Sequence, residues 1–260
     1  GEEGALPAHY HQARRMSLTM ETVGDVLRMP DALSDVEAEP PDLLLGARGG
    51  RFGAVAILQN GQDREGYANV TLERGPRRVT VEDISVPAAA TRIIPIDWRI
   101  AGRRLVGTTM EPVLRTNVAG RELLILLNEG GGEVLLPGAF RPRHQRGPVY
   151  IERAPFEGAG SGLMAHFDPA RLSSLVLDGP EGILQMLVLA PALANRVWPL
   201  DDLWRTNPIP VPEWRPTEEA PAAGVVIGPD LVVPENDGGF RFLVGDRGLG
   251  SRWVPWRGSD

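Results

Sequence analysis

The residues with the clearest chemical potential are two glutamates on either side of a glycine run. Asn128-Glu129 follows the apolar segment Leu123–Leu127, and Glu133 comes after Gly130-Gly131-Gly132. Retaining hydrolysis of a glycosidic bond needs two carboxyl groups about 5 Å apart. The carboxyl end of an apolar strand is also where (β/α)8 barrels hold their catalytic side chains. Glu129, with Glu133 as its partner, is therefore a candidate acid.

The rest of the chain does not supply the barrel that this interpretation requires. A (β/α)8 barrel alternates eight strands with eight helices over roughly 200 residues or more. After residue 30 the sequence has no amphipathic helical pattern, and the segments around Leu123 indicate a meander of strands. We therefore assign no catalytic residue. Leu123–Leu127 is interpreted as an inner strand of a sandwich, the three glycines as the turn that returns the next strand, and Glu129 as a solvated residue there.

Other side chains that could do chemistry lack suitable neighbours. The four histidines are His9, His11, His144 and His166, and His9-x-His11 has no evident carboxylate partner, whereas a structural zinc normally takes four ligands. The chain has no cysteine, which removes disulfides and thiolate ligands. Ser161 lies in a glycine-rich stretch that resembles a nucleophile elbow, but no helical pattern follows it. The sequence predicts a flexible loop at Ser161, no metal and no cofactor.

The six tryptophans could bind sugar by stacking on its apolar face. Trp98 and Trp198 lie in or beside predicted strands, which favours core packing. Trp253 and Trp256, beside Pro255, are the better candidates for a contact with sugar or with another domain.

Charge and hydropathy exclude two classes of partner. The net charge is −7 and the pI is about 5.3, whereas a nucleic-acid binder is expected to present a basic face. The only local basic run is Arg141-Pro142-Arg143-His144-Gln145-Arg146, which we interpret as a solvated loop. No apolar run approaches the ~20 residues that span a bilayer, and no signal segment opens the chain. We expect a soluble bacterial protein, cytoplasmic or secreted, with no nucleic-acid or membrane partner.

One helix is predicted, at the start of the chain. Between Ala8 and Met29 apolar residues recur at spacings of three and four, which places them on one face, and Pro30 ends the pattern. The members of this stripe are Tyr10, Ala13, Met16, Met20, Val23 and Leu27. From Asp31 to Pro41 the chain is acidic and contains proline, which is typical of a connector.

Short strand patterns separated by turn residues fill the remainder. With 31 Gly and 24 Pro, they predict an antiparallel β-sandwich, mainly β, with one N-terminal α-helix. We divide the chain into residues 1–30, the helix, and residues 31–260, the sandwich. The predicted strands are Leu43–Leu45, Phe52–Leu58, Ala68–Leu72, Arg78–Val81, Thr91–Ile96, Leu105–Met110, Leu123–Leu127, Glu133–Leu136, Leu163–Phe167, Ser174–Leu177, Leu184–Leu189, Val225–Ile227, Leu231–Val233 and Phe240–Val244.

Several segments follow one another in a recognisable order along the chain. They are Asn60-Gly61, Ile96–Gly102, Leu105–Glu111, Leu123–Glu133, Leu187–Leu189 with Ala194 and Trp198-Pro199, Val225–Val232 and Leu243–Asp246. Their order resembles the region that follows the catalytic barrel in family 35 glycoside hydrolases, the large β-galactosidases, and especially the β-sandwich second domain. Ala8 to Pro30 is similar to the last helix of the family's barrel. One departure is Ala190-Pro191, where the family usually has an Asp-Arg pair.

The resemblance implies a role beside a catalytic domain. The family's two catalytic glutamates lie in the barrel, upstream of every segment that is similar here, so no residue of this chain inherits their role. The expected function is the non-catalytic sandwich portion of a retaining β-galactosidase-like enzyme. Its expected partner is a (β/α)8 catalytic domain, and the galactoside substrate is met only indirectly. The alternative is a free-standing carbohydrate-binding or assembly module, which would bury the helix stripe instead of leaving part of it exposed.

Overall fold

A computed structural model describes most of the first 200 residues and three short strands beyond them. The described residues are 8–29, 35–75, 77–118, 120–156, 160–168, 172–199, 225–229, 231–234 and 240–243. Trp253, Trp256 and the proline-rich segment from Asn207 to Pro221 lie outside them. Within these ranges, no helix has the length and apolar character needed to cross a membrane.

The elements are mostly strands, as the turn spacing predicts. The helices are α1 (Ala8–Thr22), α2 (Gly24–Leu27) and α3 (Pro191–Ala194), and Pro41–Leu43 forms a 3-10 turn. The strands are β1 (Val36–Glu39), β2 (Leu44–Gly50), β3 (Gly53–Gln59), β4 (Gly66–Arg74), β5 (Arg77–Val86), β6 (Thr91–Ile100), β7 (Arg103–Thr108), β8 (Glu111–Val118), β9 (Arg121–Leu127), β10 (Gly132–Pro137), β11 (Arg141–Arg146), β12 (Val149–Phe156), β13 (Gly160–Phe167), β14 (Ser173–Gly179), β15 (Gly182–Leu189), β16 (Val197–Pro199), β17 (Val225–Ile227), β18 (Leu231–Pro234) and β19 (Phe240–Leu243).

Three sheets form successive layers. A three-stranded sheet has the order β1-β4-β5, a seven-stranded sheet β12-β13-β10-β7-β6-β3-β2, and a five-stranded sheet β11-β14-β15-β9-β8. One apolar core lies between the three- and seven-stranded sheets, and a larger core lies between the seven- and five-stranded sheets. The seven-stranded sheet is thus the middle layer, and the predicted β-sandwich is confirmed.

Strands that face two cores are apolar at nearly every position. In β9, Leu124 and Leu126 face the central core, whereas Leu123, Ile125 and Leu127 face a third apolar cluster on the other side. All five are buried, and fully burying a leucine contributes about 1.5 to 3 kcal/mol. The interpretation of Leu123–Leu127 as an inner strand is correct, since β9 lies between β15 and β8. Its pairing with β15 is parallel, which the antiparallel prediction did not include.

Strand β6 switches faces at Asp97, which has a φ of 50°. Ile96 belongs to the core beneath the three-stranded sheet, and Trp98, two residues later, to the central core. Neighbouring Gly53 must be glycine, because a Cβ there would lie 2.6 Å from the Cα of Trp98. The backbone irregularity thereby places the largest side chain of the core between two sheets.

The outer face of the five-stranded sheet is divided into a covered and an open half. Over β9 and the end of β15, α3, β16 and β17 pack on an apolar surface that includes Ile125, Leu189 and Val197. Over β14 and β11 no described element forms such a cluster, and the outward residues Ser174, Val176 and Asp178 are half-buried or exposed.

The predicted helix is present, and its predicted apolar face is partly correct. The stripe residues that pack against the central core are Met16, Val23 and Leu27. The helix is interrupted at Val23, and Tyr10 and Met20 of the stripe are 41% and 51% exposed. The face turned to the sheet also carries Leu18 and Thr19, at 7% and 0% exposure. Polar residues lie inward because they bond to the strand that the helix covers, as described below.

Four strands and one connection also differ from the predictions. Val36–Glu39, predicted as connector, pairs with β4. The basic run predicted as a loop is strand β11, and β8 and β12 were not predicted. The glycine run after β9 does not close a hairpin, because β10 pairs with β7 and β13 in the other sheet. At the glycine run the chain crosses from the five-stranded sheet to the seven-stranded sheet.

Candidate functional site

The Asn128-Glu129 loop lies where β9 leaves the five-stranded sheet. Asn128 is buried, and its Oδ1 accepts a hydrogen bond of 2.7 Å from the backbone N–H of Gly131. Its Nδ2 donates to the carbonyl of Asp168 at 3.1 Å. The asparagine therefore fixes the turn and ties it to the end of β13, which is a structural role.

Glu129 is exposed, as the sequence interpretation predicts, and it is also paired, which that interpretation did not include. Its carboxylate is bound by the guanidinium of Arg92 in β6. The Arg92 side chain is 5% exposed and that of Glu129 is 29% exposed, so the glutamate neutralises a cation buried between the sheets. A buried charge without a partner is costly, and this pairing accounts for the glutamate at this position.

Glu133 has a different basic partner, so the two candidate carboxylates do not form a matched pair. The Oε1 of Glu133 lies 2.8 Å from Nδ1 of His166, and Nε2 of His166 lies 3.2 Å from Glu152. These three residues line up across β10, β13 and β12, where His166 is opposite both Glu133 and Tyr150. Each carboxylate is engaged separately, and a shared position for a sugar between Glu129 and Glu133 has no support from the geometry.

A second polar cluster, which sequence reasoning missed, attaches α1 to the five-stranded sheet. The carboxylate of Glu111 in β8 accepts hydrogen bonds from Arg15 Nη1 at 2.6 Å and from Thr19 Oγ1 at 3.3 Å. The Glu111 side chain is 1% exposed. We call Arg14, Arg15, Thr19 and Thr22 the helix anchor, because each bonds to an element of the sandwich.

The remaining anchor residues complete the cover of the sheet edge. Thr22 Oγ1 donates to the carbonyl of Val113 at 3.3 Å and accepts from the N–H of Arg115 at 3.2 Å, so one hydroxyl satisfies two backbone groups of edge strand β8. Arg14 lies over the ring of Trp198, with Cζ 3.6 Å from the ring centroid, and donates to the Asn195 carbonyl at 2.9 Å. The helix thus holds both β8 and the segment around β16.

Burial shifts the pKa values of two groups in this cluster. Removal from water raises the pKa of Glu111 above its usual 4.5, although Arg15 and Arg92 favour the ionised form. Burial also lowers the pKa of Arg14 to about 10, so its guanidinium still carries a charge at neutral pH. A perturbed carboxyl can mark a catalytic site, but Glu111 is enclosed by the helix anchor and its perturbation follows from that structural position.

The other chemical candidates are dispersed. Among the residues that the structure describes, no group of three His, Cys, Asp or Glu could hold a metal ion. His9 is exposed, whereas His11 is buried. Ser161 belongs to strand β13 and pairs with β12, so the flexible loop predicted there is wrong at this residue and no helix follows it.

The two described tryptophans are buried, as predicted. Trp98 is 0% and Trp198 is 2% exposed. Trp198 Nε1 donates to the carbonyl of Pro229 at 2.9 Å, and Arg115 Cζ lies 5.1 Å from the ring centroid of Trp98. Both act in packing and neither offers a face to a sugar.

A concavity lies on the three-stranded sheet and beside it. Its volume is about 650 Å³. Acceptor groups dominate its lining, with Glu37, Glu39, Asn69 and Glu82 among them, and Leu135 belongs to its apolar part. No aromatic side chain lines it. The arrangement can accept hydrogen bonds from a hydroxyl-rich ligand but provides no stacking platform.

Comparison with known proteins gives no family assignment. No protein-family model and no curated protein sequence matches the chain.

Proposed function

We propose that this chain is the non-catalytic β-sandwich portion of a β-galactosidase-like retaining glycoside hydrolase. In this proposal, a (β/α)8 catalytic domain hydrolyses terminal β-galactosides and the sandwich supports it. The order of strand segments and the opening helix, which resemble the post-barrel region of family 35 enzymes, are the basis of the assignment.

The observation that carries the proposal is the two-sided character of α1. Its inner side is fixed to the sandwich by the helix anchor. Its outer side presents Tyr10, Ala13, Ser17 and Met20, all exposed, and these residues lie within one side of an α-helix at 3.6 residues per turn. A helix fixed on one side and partly apolar on the other is suited to lie between two domains. The proposed neighbour of the outer side is the barrel.

A charge on the outer side of α1 separates the two roles of the helix. Met20→Glu should leave the stability of the 260-residue chain within about 0.5 kcal/mol, because Met20 is exposed. In the polypeptide encoded by the whole natural reading frame, the same change should lower the melting temperature and the galactosidase activity. Gln12→Glu, at another exposed position of the helix, adds the same charge and serves as the control. Equal effects of both changes in the whole polypeptide would count against docking at this face.

Glu129 provides a direct check of the non-catalytic assignment. The purified chain should not hydrolyse a chromogenic β-galactoside, and Glu129→Gln should therefore change no rate. Turnover by the chain that is abolished by Glu129→Gln would show that the carboxylate beside Arg92 is catalytic.

The concavity on the three-stranded sheet favours a second candidate, a carbohydrate-binding module. Carboxylate and amide oxygens such as those of Glu39 and Asn69 can accept hydrogen bonds from sugar hydroxyl groups. Calorimetric titration with galacto-oligosaccharides distinguishes the candidates. Saturable binding that Asn69→Ala abolishes, in a chain with no upstream barrel, would favour the module over the enzyme portion.

A further inference from the structure

The open half of the five-stranded sheet ends in a strand made of polar residues. Every residue of β11, from Arg141 to Arg146, is exposed. Because β11 pairs only with β14, its other side is a free sheet edge in the part of the chain that the structure describes. The adjoining outer face of β14 lacks the apolar cover that α3 and β16 give to the far half of the same sheet.

The register of β11 gathers its basic side chains on the outer face. Pro142 and Gln145 are opposite Leu177 and Leu175, both of which point into the central core. Arg141, His144 and Arg146 are opposite Asp178, Val176 and Ser174, which face outward. A bulge between Pro142 and His144 contains Arg143, whose Nη1 lies 3.6 Å from Asp178 Oδ1 on that same face. We call Arg141, Arg143, His144 and Arg146 the arginine face.

The charges of this face are barely compensated. The single ion pair is Arg143 with Asp178, and both side chains are 55% exposed. Among the described residues, the side chains of Arg141 and Arg146 have neither a hydrogen-bonding partner nor an ion-pair partner. Some other arginines neutralise buried acids, as Arg15 does for Glu111. In a protein of net charge −7, the three exposed guanidinium groups of β11, two of them unpaired, form a local basic surface that favours an anionic partner.

The backbone of β11 argues against an added strand as that partner. Pro142 has no N–H, a bulge interrupts the ladder, and charged residues line the edge; these features discourage strand pairing. Recognition therefore has to come from the side chains. Residues on one face of a strand are about 6.6 Å apart, so the face suits a linear polymer with carboxylate groups repeated along it. Arginine binds carboxylate in bidentate geometry.

We propose that the arginine face binds an acidic polysaccharide whose repeating uronate groups pair with Arg141, Arg143 and Arg146. The choice of a polysaccharide as the polyanion rests on the proposed function in glycan breakdown. Single-stranded nucleic acid is disfavoured because its bases stack on aromatic side chains, and β11 has none. The sandwich would thereby hold a glycosidase close to acidic polymers that carry galactosyl branches.

The test is binding of the 260-residue chain to polygalacturonate, measured by affinity electrophoresis at low and moderate salt. The triple variant R141Q/R143Q/R146Q should bind about tenfold more weakly, since each exposed ion pair contributes modestly and three are removed together. Added salt should weaken binding by the unaltered chain, because exposed charges are screened. Neutral dextran should not retard the chain.

The matched control is R64Q/R99Q/R103Q, which removes three exposed arginines far from β11 in sequence and lowers the net charge equally. It should bind as the unaltered chain does. Equal weakening in both variants, no binding to polygalacturonate, or equal binding to poly-glutamate or single-stranded DNA would overturn the proposal. Because binding is measured on this chain, the result is independent of galactosidase activity. Polygalacturonate binding without hydrolysis by the whole polypeptide would reject the enzyme assignment alone.

Discussion

The five-stranded sheet protects its two edges in different ways. At β8, α1 covers the edge, and Thr22 bonds to the free backbone groups of Val113 and Arg115. At β11 no described element covers the edge, which carries Arg141, Pro142 and further arginines, with a bulge. Covering an edge and charging an edge are alternative ways to prevent unwanted strand pairing.

The role of an arginine in this sheet depends on which edge carries it. Arg15 at the covered edge binds a buried carboxylate and contributes to the fold. The side chains of Arg141 and Arg146 at the open edge make no hydrogen bond or ion pair with described residues and remain available to a ligand. Changes at β8 should therefore alter stability, whereas changes at β11 should alter association and binding.

The largest loss in the free energy of unfolding is expected from Glu111→Ala. The change leaves Arg15 and Thr19 without their acceptor inside a buried site. Breaking a buried ion pair costs about 3 to 5 kcal/mol, and since Arg15 is 16% exposed we expect the lower end, about 3 kcal/mol. Urea unfolding measures it, with exposed Glu37→Ala as a control that should cost under about 0.5 kcal/mol. A loss below about 1 kcal/mol for Glu111→Ala would contradict the role of the anchor.

Thr22→Val should have the next largest effect. The substitution keeps the shape of the side chain but removes the hydroxyl that serves Val113 and Arg115. Losing these bonds should lower the free energy of unfolding by about 1 to 2 kcal/mol. Thr116→Val in β8, the strand to which Thr22 bonds, is the control, because the Thr116 hydroxyl has no hydrogen bond to any described residue. Equal losses in both variants would indicate that the hydroxyl does not cap the edge.

A smaller, pH-dependent effect is expected from Glu111→Gln. Burial raises the folded-state pKa of Glu111, so the folded protein binds its proton more tightly than the unfolded chain does. The stability that this proton contributes is complete below the usual pKa of 4.5 and is lost as the pH rises through the folded pKa. Unfolding curves at pH 4, 5, 6 and 7 should show the unaltered chain losing stability relative to Glu111→Gln as the pH rises above 4.5. The opposite slope would mean that Arg15 dominates over burial.

The smallest effect on stability is expected at the open edge. Arg143→Val with Arg146→Val should change the free energy of unfolding by less than about 0.5 kcal/mol, because both positions are exposed. The variant should nevertheless self-associate, since an apolar open edge invites strand pairing. Sedimentation velocity measures this, with Arg99→Val and Arg103→Val, on strands paired on both sides, as control. A monomeric β11 variant would show that charge does not protect this edge.

Local sequence patterns predicted the strands that face two cores but missed four strands at sheet edges, which are β1, β8, β11 and β12. Leu123–Leu127 is apolar throughout because both faces of β9 are buried. Strand β11 has no apolar residue to reveal a period. The parallel pairing of β9 with β15 joins residues such as Leu126 and Val188, which are far apart in sequence, and no local pattern records it.

Contacts of the helix and of the glutamate loop with distant strands were also missed, because no local pattern records them. Hydrophobic spacing correctly placed Met16 and Val23 against the core but also included the exposed Met20. It missed Thr19 and Arg15, which lie inward because Glu111 accepts their hydrogen bonds. The turn at Glu129 was predicted from its glycines. Its partner Arg92 lies 37 residues earlier, and only the meeting of the two sheets brings the charges together.

The most direct test of the proposed function is galactosidase activity of the polypeptide encoded by the whole natural reading frame, compared with that of the 260-residue chain. We expect the reading frame to encode a (β/α)8 domain before this region. The whole polypeptide should hydrolyse a chromogenic β-galactoside, and the 260-residue chain alone should not. A reading frame without such a domain, or a whole polypeptide without turnover, would contradict the proposed function.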